Sequence, residues 1–321
     1  MIPRLRMLCI GTATQDVFLR GDIFKGKREN GEMFAHIPLG EKLDVDEVVF
    51  TTGGNAANAS VTFARQGLDS NFMGVIGTDP AGEAVLRDLD AESVGTSHLK
   101  QKDDFKTGYS TVLLAPNGER TILRNHGNVI NADGSDIDLD AIAKADWLYL
   151  SSLGSMSLLE KVISLAGKNG VQVAINPGTM ELRQASKLRD MLADVAVLIT
   201  NKEEMQELVE GKTAEELLRH AAQLVPTVLI SDGPRGSIAT DGKKIVKAGM
   251  YKDVKVVDRL GAGDAFGSGF VAKFAQGASL ADAVVFASAN STSVVTKIGA
   301  KAGILHAGTK LSKMPIQEKD F

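Results

Sequence analysis

Six short and nearly unbroken apolar runs, "RMLCIG", "SNFMGVIG", "ADWLYLSS", "GVQVAIN", "VAVLIT" and "PTVLISDG", set the terms for any fold this chain can adopt. Each has the length of a strand, ends in small or polar residues, and lacks the alternation of a strand with one wet face. Stretches of helical periodicity stand among them, at 55–66, 156–169 and 202–210. Strands buried on both faces and separated by helices predict a doubly wound, mostly parallel α/β sheet. The 321 residues suffice for such a core, and we expect one domain over residues 1–321. Two segments break the pattern. Residues 16–50 hold alternating pieces without a clear helix, and residues 107–128 read as two strands around the hairpin signal "PNG". Both are expected as antiparallel β structure forming a small lid over the carboxyl ends of the strands, where open α/β sheets bind ligands. The closing "TKLSKMPIQEKDF" is expected as a loosely held tail.

The charge balance narrows the partners. There are 36 basic and 40 acidic residues, a formal charge of -4, and no basic block, so neither a nucleic acid nor a membrane surface is expected. The single cysteine, Cys9, lies inside an apolar run and reads as a buried strand residue; alone it builds neither a disulfide framework nor a metal cluster. The first apolar run is too short for a signal peptide or a membrane span. A cytoplasmic protein that handles small molecules is the expectation.

The stretch "VVDRLGAGDAFGSGFVAKFAQG" holds the chemistry. Glycines after an apolar strand end, followed at once by a helix, turn unpaired backbone amides and the positive end of the helix dipole toward one point, which makes an anion site. The loop lacks the Lys-Ser/Thr ending of a Walker loop. Asp264 places a negative charge beside this site. An aspartate there either caps the helix or accepts the proton of a hydroxyl that attacks a bound phosphoryl group; the residues alone leave both readings open.

"DRLGAGDAFGSGF" is similar to the second signature of the PfkB carbohydrate kinases, the ribokinase-like family, and residues 53–82, "GGNAANASVTFARQGLDSNFMGVIGTDPAG", resemble its first signature. The likeness covers nearly the whole chain. It implies a ribokinase-like fold and an ATP- and Mg2+-dependent kinase acting on an alcohol group. Asp264 is then the catalytic base, and the amides of Gly261, Ala262, Gly263 and Asp264 receive the γ-phosphate charge. The first signature is assigned to the acceptor: Gly53 and Gly54 allow close backbone approach, and Asn55 and Asn58 stand three apart on a first helical turn, so both amides can meet one polyol or simply cap the helix. Asp16 matches the aspartate that holds two sugar hydroxyls in the family, with Thr14 beside it. Asn201 and Glu204, in "NKEE", resemble the family's Asn-x-x-Glu motif, with Glu204 ordering water around Mg2+. Ser231, Gly233 and Gly236 resemble the loop that carries ATP phosphates and ribose. The helix "FASANSTSVVTKIGAKAG" is expected to line the adenine pocket, with Asn290 as its candidate contact.

Two departures stand out. Arg259 occupies a position where the family often carries Thr, either to meet a phosphate or to lie in solvent. It also counts against the K+ site that the resemblance implies at Asp258 with carbonyls near Gly299 and Ala300. Asn176, where many sugar kinases have aspartate, reads as structural. The acceptor is the least legible part. Candidate lid contacts are Phe34, His36, Ile37, Tyr109, Thr111, Arg124 and His126. Arg124 and His126 alternate onto one side of a strand; if that side is the pocket they favour a phosphorylated sugar, otherwise they are surface residues. A pentose or hexose kinase ranks first, a nucleoside kinase second and a phosphosugar kinase third. A nucleotide- or sugar-binding regulator is the reading outside enzymes, and an exposed lid edge suits a homodimer.

Overall fold

The order of the strands, rather than their number, positions the functional cleft. A computed structural model describes residues 4–251 and 254–321. In chain order the strands begin with β1 (Arg6–Gly11), β2 (Thr14–Arg20), the small hairpin β3 (Lys27–Glu29) and β4 (Glu32–Phe34), and β5 (Glu47–Gly53). They continue with β6 (Asp69–Gly77), β7 (Gly95–Lys102), β8 (Gly108–Leu114), β9 (Arg120–Asn125), β10 (Trp147–Ser151) and β11 (Gln172–Asn176). The last five are β12 (Val197–Asn201), β13 (Thr227–Ser231), β14 (Ser237–Thr240), β15 (Lys244–Ala248) and β16 (Ile316–Asp320). The helices are α1 (Asn55–Arg65), α2 (Pro80–Ala91), α3 (Met156–Lys168), α4 (Thr179–Leu182), α5 (Ala185–Met191), α6 (Lys202–Leu208), α7 (Ala214–Ala221), α8 (Ala262–Ala275) and α9 (Leu280–Val294).

Ten strands form the main sheet in the order β16-β15-β14-β13-β12-β11-β10-β1-β6-β7. The seven from β13 to β7 run parallel, and β14 to β16 add an antiparallel edge. Strand β1 shows why the apolar runs are unbroken. Its Leu8 and Ile10 enter the core shared with α3 and α5 to α7, while Met7 and Cys9 enter the core shared with α1, α2, α8 and α9. Both faces are covered, as the sequence predicts. Burial pushes the free Cys9 thiol well above its ordinary pKa, which keeps it protonated and inert.

From β1 the chain winds outward to β6 and β7, then returns to β10 on the other side. The carboxyl ends of β1 and β10 therefore flank a topological switch point, where such sheets open a crevice. Gly11 is held there at φ 153°, with the Ser151 carbonyl in the place a side chain would take. The second sheet grows out of this crevice. Its order is β5-β2-β8-β9, and β2 starts three residues after β1 ends. One face, with Phe18, Val112 and Leu114, packs on Leu260 and Ile298 beside α8 and α9.

Two expectations are corrected. Strands β2 and β8 pair in parallel, not antiparallel, because the chain between them crosses the main sheet through α1 and α2. The C-terminal stretch is not a loose tail: Ile316–Asp320 pairs along β15, and the Arg219 guanidinium lies 5.0 Å from the centre of the Phe321 ring.

Candidate active site

Two helices begin in the crevice, and neither has a side-chain cap. The N-cap of α1 is Gly54 at φ 95° and that of α8 is Gly261 at φ 75°, both left-handed conformations that favour glycine. A side chain at Gly54 would collide with the Thr12 carbonyl and Ala13, and one at Gly261 with Ala300. At Gly263 a side chain would meet nothing within 4 Å, so this glycine leaves open space over the first turn of α8. The Ala57 and Ala262 amides donate to the Thr12 and Arg259 carbonyls at 3.4 Å, and the amides of Asn55, Ala56, Gly263 and Asp264 have no acceptor among the described residues, which leaves them for a ligand or solvent.

Asp264 sits at the third position of α8 and does not cap it; its Oδ2 instead accepts from Asn58 Nδ2 across the crevice at 2.8 Å. That bond joins the first turns of α1 and α8. Burial pushes the Asp264 pKa up to about 6, the Asn58 donor opposes the rise, and the charges of Glu204 and Asp16 add to it. Asn58 is itself buried, and its Oδ1 has no partner among the described residues. Asn55 donates from Nδ2 to Ser152 Oγ at 3.2 Å, and Ser152 holds φ 52° just beyond β10.

Asp16 faces this pair from β2. It is 4% exposed, and its pKa is raised by burial against the pull of the Ser110 hydroxyl and the charges of Lys301 and Arg124. Gly53 is opposite Thr14 in the pairing of β2 and β5, and a side chain there would occupy the place of the Asp16 carboxylate. The two glycines of the first signature therefore do different work: Gly53 makes room for Asp16, and Gly54 starts a helix. Behind them Lys301, 6% exposed, donates to Thr52 and Asp88, and burial lowers its pKa.

On the opposite side of Asp264, Asn201 and Glu204 form a reciprocal capping box at the start of α6. Asn201 Oδ1 accepts from the Glu204 amide and Glu204 Oε2 from the Asn201 amide, both at 2.8 Å. Burial raises the pKa of Glu204, whose Oε1 accepts from no donor among the described residues. Ser231 ends β13, next in the sheet to β12. Gly233 and Gly236 both hold positive φ in the turn that follows; Gly236 lies against the Ala248 carbonyl, and Gly233 has open space where a side chain would be. A cavity of about 690 Å³ lies along α9, between Ala289, Thr292 and Thr296 on one side and Met250, Tyr251 and Lys310 on the other.

Asn290 is corrected. It is wholly buried, its Nδ2 donates to the Ala265 carbonyl at 2.8 Å and its Oδ1 accepts from the Leu305 amide at 2.8 Å, so it ties α8 to α9 from a position with no exposed surface for a nucleotide to meet. Asp258 does not match an open cation ligand either. It is 1% exposed, with Oδ1 accepting from the Leu260 amide and Oδ2 from the Gly299 amide, both at 3.0 Å, and Arg120 Nε stands 3.9 Å from Oδ1. Arg259 is exposed, and its side chain makes no hydrogen bond among the described residues. Asn176 donates to the Ile199 carbonyl at 3.0 Å, a bridge between adjacent strands that agrees with a structural role.

Sequence reasoning missed Ser110, Arg120, Ser152, Glu181 and Lys301. Glu181 is buried and accepts from the amides of Gly154 and Gly178 at 2.9 and 3.0 Å, fixing the two loops that follow β10 and β11. The one signal for the five was a polar side chain bordering an apolar run, and for Lys301 a charge amid the small residues "IGAKAG".

Comparison with known proteins converges on one family. The model of the pfkB family carbohydrate kinases matches residues 28–307. Ribokinase from Haemophilus influenzae is 28% identical over 277 residues, covering 83% of this chain and 88% of that one. The 5-dehydro-2-deoxygluconokinase of Listeria monocytogenes is 30% identical over 283 residues, 81% of this chain and 84% of its own. The structure of Arabidopsis thaliana ribokinase complexed with ribose and ATP superposes with a TM-score of 0.76, covering 95% of this chain and 96% of that one at 22% identity.

The electrostatics of Asp264 are directly measurable. Carbon-13 NMR of the aspartate carboxyls, assigned with Asp264→Asn, should show a titration near pH 6 in the free protein. In Asn58→Ala it should move higher, because the lost donor stabilised the ionised form. A titration in the ordinary range near 4, unmoved by the substitution, would contradict the desolvated pair.

Proposed function

The chain belongs to the pfkB family of carbohydrate kinases, and on that premise we propose that the Asp264 cleft transfers the γ-phosphate of ATP to a hydroxyl of a small sugar of pentose or hexose size. The observation that carries this reading is a carboxylate held by Asn58 between two uncapped helix N-termini. Asn58 engages Oδ2, so Oδ1 is the atom that receives the acceptor's proton. As that O–H bond breaks, the acceptor oxygen bonds to the γ-phosphorus and the bond to the β-phosphate oxygen breaks, releasing ADP. The amides of Gly261, Ala262, Gly263 and Asp264 meet the charge that develops on the transferring group.

Asp16 holds acceptor hydroxyls, helped by Thr14, Asn55 and Asn58, over Gly53 and Gly54. The relatives named as sugar kinases weigh against a nucleoside acceptor. A regulator without turnover would have no use for a desolvated carboxylate at the anion loop. The second sheet, residues 16–50 and 107–128, serves as a lid within one catalytic unit. ATP lies along α9, its base in the cavity beside Ala289 and Thr292, its ribose and phosphates near Ser231, Gly233 and Gly236. Asn201 and the Oε1 of Glu204 suit hydrated magnesium, which when bound neutralises phosphate charge. The chain acts in the cytoplasm on this reading.

The residues do not fit a potassium ion. Both Asp258 oxygens already accept amide donors, and the half-buried Arg120 supplies positive charge. We expect the same initial rate in K+, Na+ or tetramethylammonium chloride at equal ionic strength; activation specific to K+ would overturn this.

The outer face of the lid leaves Val48, Phe50 and Leu123 exposed, which fits a dimer through paired lids. Light scattering should give twice the chain mass for the native protein and the monomer mass for Phe50→Asp; a native monomer would refute the pairing.

The central test is ADP release from Mg-ATP across ribose, fructose, other hexoses, sugar phosphates and nucleosides. A sugar should support turnover that falls about 10² to 10⁴ in Asp264→Asn. In the native enzyme kcat/KM should fall as pH drops through about 6, where Asp264 takes up its proton. Undiminished turnover in Asp264→Asn would refute the assignment.

A further inference from the structure

Strand β9 presents two arginines to the crevice side of the lid, and the structure uses only one. Register fixes the face. Thr51 pairs with Asp16, Asp16 with Ser110, and Ser110 with Arg124, one row across all four strands. Directly opposed residues project to the same face, so Arg124 shares the face of Asp16. Arg120, four residues earlier, also lies on it and meets Asp258; Ile122 between them packs on the Phe18 core. Arg124 has no hydrogen bond or ion pair among the described residues and is exposed. His126 follows two residues later, exposed and likewise without a partner among them. Register thus meets, at Arg124, the condition on which the pocket reading depended.

Between the acid and the base the floor is low. The row of Asp16 and Arg124 is bridged by the small Ser110, and the neighbouring position of β8 is Gly108, opposite Thr14. Two strand spacings separate Asp16 from Arg124, about 9–10 Å of backbone. The result is a trough one sugar wide, with Asp16 and Thr14 on one wall and Arg124 on the other.

We propose that Arg124 is a specificity-determining residue that binds an anionic substituent of the acceptor, a phosphate or a carboxylate, while Asp16 holds the acceptor's hydroxyls. This rests on the sugar-kinase reading and narrows it to anionic sugars. A planar guanidinium suits either oxyanion by a two-point contact. The electrostatics of the base support the assignment. The charge of Arg124 lowers the proton affinity of both Asp16 and Asp264, an effect opposed to the work of a general base. A bound anion cancels that charge at the moment the base is needed. The contact also keeps the acceptor's own negative charge at the lid, away from the anion loop of α8.

The test compares neutral sugars with their anionic counterparts: ribose with ribose 1-phosphate, and fructose with fructose 1-phosphate, fructose 6-phosphate and 5-ketogluconate. At least one anionic member should exceed its neutral parent in kcat/KM. Arg124→Met should then raise its KM about 10- to 100-fold, the worth of a charge-assisted contact, with the KM for ATP unmoved. Arg124→Lys should recover part of the loss. Phosphate and carboxylate members separate the two sources of the anion. A neutral sugar preferred by the native enzyme, or an equal fall of kcat on every acceptor in Arg124→Met, would overturn the proposal; the latter would place the arginine on the transferring phosphoryl group. Should no acceptor give ADP release that depends on Asp264, the kinase reading fails instead, and calorimetric binding of the same compounds to native and Arg124→Met protein still decides this one: tighter native binding of an anionic member, lost in the variant, upholds it, and equal binding refutes it.

Discussion

The hydrogen bond from Asn58 to Asp264 is the constraint on which the site depends, because it ties together two helix starts that the chain brings from 206 residues apart. Each helix begins without a side-chain cap, at a glycine whose left-handed backbone sets the entry angle. A cap would satisfy the first-turn amides locally and close them to a ligand. With glycine at both N-caps, omitting it costs only about a few tenths of a kcal/mol of helix stability apiece. That cost is offset by packing further along: Ser268 donates to Thr62 at 2.8 Å, and Gly267 and Gly269 let α8 lie close to Tyr149 and Asn290. Packing of the later turns holds the helices together, and at their first turns the amides of Asn55, Ala56, Gly263 and Asp264 keep no acceptor among the described residues.

The lid depends on the same geometry. Its inner face carries three jobs in sequence along β9: Arg120 against Asp258 beside the anion loop, Ile122 in the small apolar core, and Arg124 over the crevice. The ion pair and the apolar contact register the sheet against the start of α8, so the third position is placed without a contact of its own. Lys301 does the same from behind. With Asp88 and Thr52 it forms a buried polar cluster that braces β5 at the strand end where Gly53 clears space for Asp16.

Much of this was legible in the sequence, for reasons that differ by element. The doubly wound layers were readable because burial on both faces leaves no alternation, as Met7 to Ile10 illustrate. The anion loop was readable because glycine at a helix start has few uses. The lid segments were readable as β structure, yet the parallel pairing of β2 with β8 was not, since strand direction is set by the crossover and not by either strand's residues. The last strand was missed because β16 is an edge of exposed polar side chains, "IQEKD", held by backbone pairing to β15. Asn290 misled because an asparagine on a small-residue helix looks available until its amide is seen bonded at both ends. Arg120 and Arg124 have the same residue type on the same face of the same strand, and only the fold distinguishes the one beside Asp258 from the one without a partner.

Asp264 shows why the surrounding charges must be balanced and not merely favourable. A base for a sugar hydroxyl has to be ionised near neutral pH and still hold a proton well. Desolvation raises its affinity, and the nearby carboxylates of Asp16 and Glu204 raise it further. Left unopposed, those effects would raise it further; the Asn58 donor and the Arg124 charge pull the other way, and about 6 is where they meet in the free protein. A general base is most effective when its pKa lies near the working pH. The protein reaches that value with groups that each serve a second purpose. Asn58 joins the helices, Asp16 and Arg124 share one face of the second sheet on either side of Ser110, and Glu204 caps α6. On the proposed reading, an anion bound beside Arg124 changes the base as well as filling the site, so acceptor binding and proton transfer are coupled through the electrostatics of the cleft.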